Sequence, residues 1–280
     1  MKKFLALLVT VFFLTTSANA ATNWDSEASL KRVNTIGQKL LKANGLPTQV
    51  VFKVSDDESI NAHANLQKEV YVYRGLLQYV ETDDELAGVI GHEIGHIVLS
   101  HIIKGAYKQA AIKTALSAIS SSTNSKLATA TSAAGELTTL KLSRDDEYEA
   151  DRTSADLMVV AGFNPLGEIS VLNKICQRNL DFLSSHPSGD KRVVALYNYI
   201  MYNYPKYYNT SYNTQSYADF RNYMSPIVAQ RKASARLTKK YNKEQAKLRK
   251  KHLKNLETMK KGTFGWDASY TIINALTTEQ

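Results

Sequence analysis

One helix start and the histidine pair that follows it constrain the fold of this 280-residue chain more than any other feature. Thr82 and Glu85 have the form of a capping box, in which each side chain accepts a hydrogen bond from a free backbone N–H at a helix start. We predict a helix from Glu85 to about Ile103, which places His92 and His96, four residues apart, on one helix face. Its apolar positions predict burial: Leu86, Val89, Ile90, Ile97 and Val98.

The two histidines enclose a glutamate in the string His92-Glu93-Ile94-Gly95-His96, a spacing typical of zinc-binding helices. Two imidazoles on one face bind the same ion, and the adjacent Glu93 is placed to act as a general base toward water. A catalytic zinc site has three protein ligands and leaves a fourth position open. A third ligand must therefore come from another part of the chain.

The best source of the third ligand is residues 143–151 (SRDDEYEAD), which we predict to begin a second strong helix. Glu147 and Asp151 share one helix face, so Glu147 can bind the metal while Asp151 accepts the other ring N–H of a ligating histidine. Glu149 is a rival ligand, but it points away from Glu147 on a helix. His101 lies five residues after His96, one short of the known three-histidine pattern. We therefore predict one Zn²⁺ per chain, held by His92, His96 and Glu147.

The other patterned segments predict the remaining elements of the fold. Residues 49–54 and 69–73 are rich in β-branched and aromatic residues and predict short strands of a small sheet. Helical spacing of apolar residues predicts a helix before them, from about Leu30 to Leu41. We expect an α+β, mainly helical fold with a small β-sheet, a helix bearing the two histidines, a second ligand helix and a basic C-terminal helix.

Residues 1–20 have the form of a signal peptide: two lysines, an apolar run from Phe4 to Leu14, and Ala18-Asn19-Ala20 as a cleavage site. An uncleaved anchor is the alternative, but the run is shorter than the roughly 20 residues of a spanning helix. Cys176 is the only cysteine, which excludes an intramolecular disulfide. We expect an exported protein that is periplasmic, with a membrane-peripheral or secreted location left open.

After the signal peptide we expect four regions. Residues 106–139 are rich in Ala, Ser and Thr and form a lid, a plug or a linker within the first region. The second region, the Tyr- and Asn-rich loop, either packs on the body as a polar loop or forms a platform that binds sugar or peptide. The regions are a metallopeptidase domain at 21–205, a Tyr- and Asn-rich loop at 206–225, a basic helix at 226–261 and a tail at 262–280.

The net charge of +9 is concentrated in the basic helix. Residues 226–261 hold thirteen Lys or Arg against two Glu, so the rest of the mature chain is mildly acidic. Such a segment is either a solvated helix packed partly on the body or a helix that docks on an anionic membrane surface. Nucleic acid is not expected as a partner of an exported protein.

These motifs resemble the HtpX and CAAX-prenyl-protease group of gluzincin zinc metallopeptidases, in particular its soluble periplasmic BepA-like branch and its Oma-like mitochondrial relatives. The resemblance runs from about Ile60 to Leu196 and rests on HEIGH at 92–96 and EYEAD at 147–151, with support from the strand motif at 71–77. It implies a zincin-like fold in which Glu147 is the third metal ligand and Asp151 contacts a ligating side chain and not the metal itself. Residues 63–67 depart from the family pattern, and we expect in this sequence neither the helical repeats of the BepA-like branch nor the transmembrane helices of HtpX.

A further segment, SSHPSGDKR, contains His186 and Arg192. By itself, a histidine before proline is a loop residue and is often a cap or a surface group. The resemblance implies more: His186 can approach the metal as an extra ligand that shuts the site, or stabilise the transition state, and Arg192 accompanies it in the catalytic site.

The function that follows is zinc-dependent endoproteolysis of unfolded or extended envelope proteins, with Glu93 as general base. A substrate strand would add to the sheet edge near Asn61, Ala62, Tyr71 and Tyr73. The alternative is a zinc-retaining holdase or assembly factor with little proteolysis, whose site is shut by His186. A purely structural protein would bind no zinc.

Overall fold

The computed structural model describes residues 26–46, 49–108, 142–178, 182–186 and 189–260. The expected signal peptide at 1–20, the tail at 262–280 and nearly all of the expected lid or linker at 106–139 lie outside these described residues. Within them, the predicted α+β, mainly helical fold with one small sheet is confirmed.

The first half of the fold is one helix followed by a three-stranded sheet. Helix α1 (Ser26–Ala43) buries the apolar face that its spacing predicted. The strands are β1 (Val51–Ser55), β2 (Ala62–Ala64) and β3 (Glu69–Tyr73), followed by the short α2 (Arg74–Tyr79). The order is β1-β3-β2, with β1 parallel and β2 antiparallel to β3. Strand β3 is therefore central, and β2 is an edge strand.

Helix α3 (Asp83–Val98) is the core of the molecule, and all its residues from Glu85 onward are buried. The Thr82 hydroxyl accepts the N–H of Glu85 as predicted, but the Glu85 carboxylate bonds the Glu81 N–H and the Ser170 hydroxyl instead of completing the box. The prediction that this helix continues to Ile103 is wrong. Ser100 has φ +58°, a left-handed conformation that ends the helix, and α4 (His101–Lys108) leaves at an angle of 55°.

Helices α5 (Arg144–Val160) and α6 (Leu166–Arg178) pack directly on α3, which also contacts α1. Glycines on α3 permit the close approach: a Cβ at Gly88 would lie 2.8 Å from Glu168 Cα, and one at Gly91 would lie 2.6 Å from Ser154 Oγ. The Ser154 hydroxyl donates to the Gly88 carbonyl at 2.8 Å, which fixes α5 against α3. This contact brings residues 147–151 beside the two histidines of α3.

The chain continues through α7 (Phe182–Ser185) and α8 (Gly189–Asn203) to a C-terminal region that corrects two expectations. The expected loop at 206–225 is a 3₁₀ turn (Pro205–Asn209) followed by α9 (Gln215–Lys232). Thr214 caps this helix, and its buried face recurs at helical spacing: Ser216, Tyr217, Phe220, Met224 and Val228. The basic segment is therefore split between α9 and α10 (Ala235–Lys260).

Among the described residues, no single helix has both the length and the apolar composition needed to cross a bilayer. Helices α3 and α4 reach those limits only as a pair, across their 55° bend.

Candidate metal centre

Two ring nitrogens meet at the centre of the fold. His92 and His96 lie one turn apart on the buried α3, and their Nε2 atoms are 2.9 Å apart. Both side chains are at most 3% exposed. The i, i+4 spacing therefore directs both imidazoles to one point, as the sequence predicted.

Glu147 reaches the same point from α5. Its Oε2 lies 3.4 Å from His92 Nε2, and its Oε1 lies 3.5 Å from His96 Nε2. Ser143 and Asp146 form a full capping box at the start of α5, so Glu147 sits in the first turn with its side chain on the α3 side. Burial opposes ionisation of Glu147, but the charges of His186 and Arg192 outweigh it and hold its pKa well below the ordinary value.

His186 is a fourth member of this cluster. Its Nδ1 lies 3.2 Å from His92 Nε2 and 3.1 Å from Glu147 Oε2, and the side chain is buried. Its other nitrogen, Nε2, lies 3.4 Å from Glu93 Oε1 and 3.4 Å from the Ala62 carbonyl oxygen. The structure thus brings His186 both to the ligands and to the predicted base.

The four side chains fit a metal ion. Ligands held tetrahedrally about 2.0–2.1 Å from zinc are about 3.3–3.4 Å apart, and the distances given above among His92, His96, Glu147 and His186 run from 2.9 to 3.5 Å. Glu147 Oε1 is buried and has no hydrogen-bond donor among the described residues. A buried carboxylate oxygen with no donor, facing ring nitrogens, is what a bound cation would satisfy.

The far side of His92 is held by a carboxylate and a guanidinium. His92 Nδ1 lies 2.9 Å from Asp151 Oδ1, as expected for a residue that orients a ligand. Arg192 Nε donates to Asp151 Oδ2 at 2.8 Å and Nη2 to Oδ1 at 2.5 Å. Burial would raise the pKa of Asp151, but Arg192 outweighs it and lowers that pKa. Burial likewise opposes protonation of His92, yet its bonds to Asp151 and Glu147 raise its pKa to about 10.

The placement of Arg192 corrects its expected role. Its side chain is 1% exposed, and its Nη1 also lies 2.7 Å from Glu147 Oε2. It lies behind the ligands, and the described residues that line the cleft do not include it. Among the described residues Arg192 is therefore placed to position Asp151 and Glu147, and its contacts are with these carboxylates and not with the cleft.

Three more residues support the site: His101 and Glu149, which the sequence analysis set aside as ligands, and Glu168, which it did not identify. His96 Nδ1 lies 3.0 Å from His101 Nδ1, whose Nε2 is 3.5 Å from Glu149 Oε2. Because the chain turns at Ser100 after the end of α3, His101 folds back onto His96. Glu149 meets His101 from the face of α5 opposite Glu147. The five-residue gap after His96 was the only signal in the sequence. The third, Glu168, lies behind His92 and Asp151, and burial, together with the charge of Asp151, raises its pKa well above the ordinary value.

Glu93 lines a cleft of about 480 Å³ that extends from the metal cluster to the sheet. Its Oε1 is buried with no hydrogen-bond partner among the described residues. Opposite it, His63 stacks on Tyr71 with ring centroids 4.9 Å apart and lies edge-on to Tyr73 at 5.6 Å. The segment that departed from the family pattern therefore forms an aromatic wall of the cleft.

The register of β2 and β3 determines which backbone groups face the cleft. The Asn61 carbonyl accepts the Tyr73 N–H, and the Asn65 N–H donates to the Glu69 carbonyl. In this antiparallel register Ala62 and Ala64 therefore direct their N–H and C=O groups away from β3. The expected edge near Tyr71 and Tyr73 is corrected, because both belong to the central strand and only their side chains reach the cleft. The available edge is β2.

Comparison with known proteins agrees with this geometry. The family model "Peptidase family M48" matches residues 27–200. Metalloprotease LoiP of Escherichia coli (strain K12) is 31% identical over 196 residues, which are 64% of this chain and 77% of LoiP. Metalloprotease YcaL of the same strain is 32% identical over 158 residues, or 54% of this chain and 61% of YcaL. The beta-barrel assembly-enhancing protease of Yersinia pestis is 25% identical over 178 residues, covering 58% of this chain and 37% of that protein. The chain belongs to peptidase family M48 and is a metallopeptidase.

Proposed function

We propose that this chain is an exported zinc endopeptidase that cleaves extended segments of unfolded polypeptide. The observation that carries the proposal is the convergence of His92, His96 and Glu147 on one point, beside a cleft that His96 and Glu93 line. A zinc ion held by these residues supplies Lewis acidity, which activates water and polarises the scissile carbonyl.

Glu93 is the group placed to move the proton. Its carboxylate lines the cleft, and within the described part of the chain its Oε1 accepts no hydrogen bond that would compete with one from water. We assign it the role of general base toward water and then of general acid toward the leaving amine. His186 Nε2, 3.4 Å from that same oxygen, is near enough to orient the carboxylate or to contact the reacting carbonyl.

The outer edge of β2 supports an extended substrate, which would replace Asn61 Oδ1 as the acceptor of the Ala62 N–H. A peptide strand paired with the outward groups of Ala62 and Ala64 would lie beside His186, because the Ala62 carbonyl oxygen is 3.4 Å from its Nε2. Main-chain pairing holds any extended sequence, so we expect broad tolerance of side chains and selection for unfolded chains. The aromatic wall of His63, Tyr71 and Tyr73 would contact the side chains of the bound segment.

The export proposal rests on the signal-like residues 1–20. Some relatives of this chain are named beta-barrel assembly-enhancing proteases, which supports the proposal that this chain acts on envelope proteins. Together these favour protein quality control in the periplasm.

The decisive experiment compares Glu93→Gln with the wild type on an unfolded model substrate such as casein. We expect the variant to keep its zinc, measured by elemental analysis, while the cleavage rate falls by roughly 10²–10⁴-fold. Glu244→Gln, whose side chain is 58% exposed on α10, is the matched control and should cleave normally. A Glu93→Gln variant that cleaves at the wild-type rate would refute the assignment.

The second candidate, a zinc-retaining holdase, is favoured by the place of His186 among the ligands. If His186 shuts the site, the wild type retains zinc but cleaves slowly, and His186→Ala cleaves faster. If His186 assists the reaction, His186→Ala cleaves more slowly. The direction of this change separates the two candidates.

A further inference from the structure

Helix α10 carries ten Lys or Arg and two Glu, a net charge of +8. Eight of these basic residues are exposed, and six of the eight recur at alternating intervals of four and three residues. At about 100° per residue they fall within a sector of about 80° and extend over about 27 Å. We call this set the basic stripe: Arg236, Lys240, Lys243, Lys247, Lys250 and Lys254.

The opposite face of α10 is fixed to the body. His252 and Leu256 are at most 1% exposed, and His252 Nε2 lies 3.0 Å from Asp156 Oδ2 on α5. Asn255 Nδ2 donates to Glu149 Oε1 at 2.5 Å. Because these buried polar contacts prevent the helix from rolling, the basic stripe is held facing away from the body.

The charge of the basic stripe is not balanced within the described residues of α10. Glu244 and Glu257 lie to either side of it, and the nearest pair, Lys240 Nζ to Glu244 Oε1, is 3.9 Å apart between two mostly exposed side chains. Lysines three and four residues apart on a helix repel one another. Such an arrangement is unfavourable in solution and becomes favourable against an anionic surface.

We propose that the basic stripe docks the protein on an anionic membrane surface. A straight row of charges on a rigidly held helix matches a flat layer of lipid headgroups. Five of the six groups are lysines, which act as point charges and lack the bidentate geometry of arginine in specific phosphate recognition. The choice of lipid over nucleic acid as the anionic surface rests on the export proposed above. This inference rests on the surface of α10 and does not depend on peptidase activity.

The test is co-sedimentation of the full chain with vesicles of phosphatidylcholine, with and without phosphatidylglycerol, at low and high salt. The test variant changes Lys243, Lys247 and Lys250 to Gln. Each charge removed should weaken binding by about fivefold, so the triple variant should bind about a hundredfold more weakly. The matched control changes three exposed lysines elsewhere to Gln, namely Lys31, Lys42 and Lys191, and removes the same net charge.

Binding that requires phosphatidylglycerol, falls with salt and is lost in the test variant alone would support the proposal. Equal loss in both variants would overturn it, because net charge and not the stripe would then be responsible. Binding to heparin without binding to anionic vesicles would also overturn it. Casein cleavage should be unchanged in the test variant, so the outcome is independent of the Glu93 experiment.

Discussion

Removal of the Arg192 guanidinium tests whether the buried charges behind the ligands are held as the structure indicates. Arg192→Met keeps most of the side-chain volume but removes the guanidinium that pairs with both buried carboxylates, those of Asp151 and Glu147. Breaking one side of a buried ion pair costs about 3–5 kcal/mol. That is a large part of the roughly 5–15 kcal/mol that holds a typical domain together.

The assay is urea unfolding followed by far-UV circular dichroism, in chelator and at neutral pH, on wild type and variant. Arg236→Met on the exposed surface is the matched control and should change the unfolding free energy by less than about 0.5 kcal/mol. Arg192→Lys should fall between wild type and Arg192→Met, because it keeps the charge and loses the two-point bond to Asp151. A loss below about 1 kcal/mol in Arg192→Met would refute the reasoning.

The pH dependence of this loss has a definite sign. In the wild type Arg192 lowers the pKa of Asp151, so the stability it contributes is present above the ordinary carboxyl pKa and is lost as the pH falls below it. In Arg192→Met the effect of burial on Asp151 is opposed only by His92, so the pKa of Asp151 is higher than in the wild type. Protonation of this carboxyl at lower pH then relieves the variant. The difference in unfolding free energy between the two proteins should therefore narrow as the pH falls. A difference that widens on acidification would contradict the assignment.

Two further predictions concern the helices around the site. Burial opposes ionisation of Glu149, but its bonds and charge interaction with His101 lower its pKa to about 2, so it stabilises the fold above the ordinary carboxyl pKa of 4.5. Glu149→Gln should be less stable than wild type at neutral pH, and the gap should close between pH 4.5 and 2 in urea titrations. Gly91→Ala places a methyl 2.6 Å from Ser154 Oγ and should cost about 1–3 kcal/mol. Ser154→Gly in the same chain should recover part of that loss, and additive effects in the double-mutant cycle would contradict the proposed contact.

Much of the central helix and its ligands could be predicted from the chain because the information is local. His92 and His96 share a helix face by their spacing alone, and the same holds for Glu147 and Asp151. The cap at Thr82 and the β-branched strands are equally local signals. These residues needed only the geometry of one helix or one strand to be placed correctly.

Other features depended on contacts between distant parts of the chain. Arg192 is forty-one residues from Asp151, and its burial behind the ligands follows from the packing of α8 on α5. His101 meets His96 because Ser100 adopts a left-handed conformation, which no propensity of serine predicts. The helical state of 215–225 was hidden because tyrosine and asparagine are weak helix formers, and burial of one face of α9 outweighs that preference.

The sequence by itself therefore determined the chemistry of this protein, because a metal-binding pattern within a helix is set by residue type and a period of 3.6. The tertiary structure alone decided how that chemistry is surrounded: which side chains orient the ligands, which strand offers a free edge, and where the basic stripe faces. Those properties arise from contacts across roughly 40 to 125 residues, whose energies depend on packing and burial and not on any local pattern.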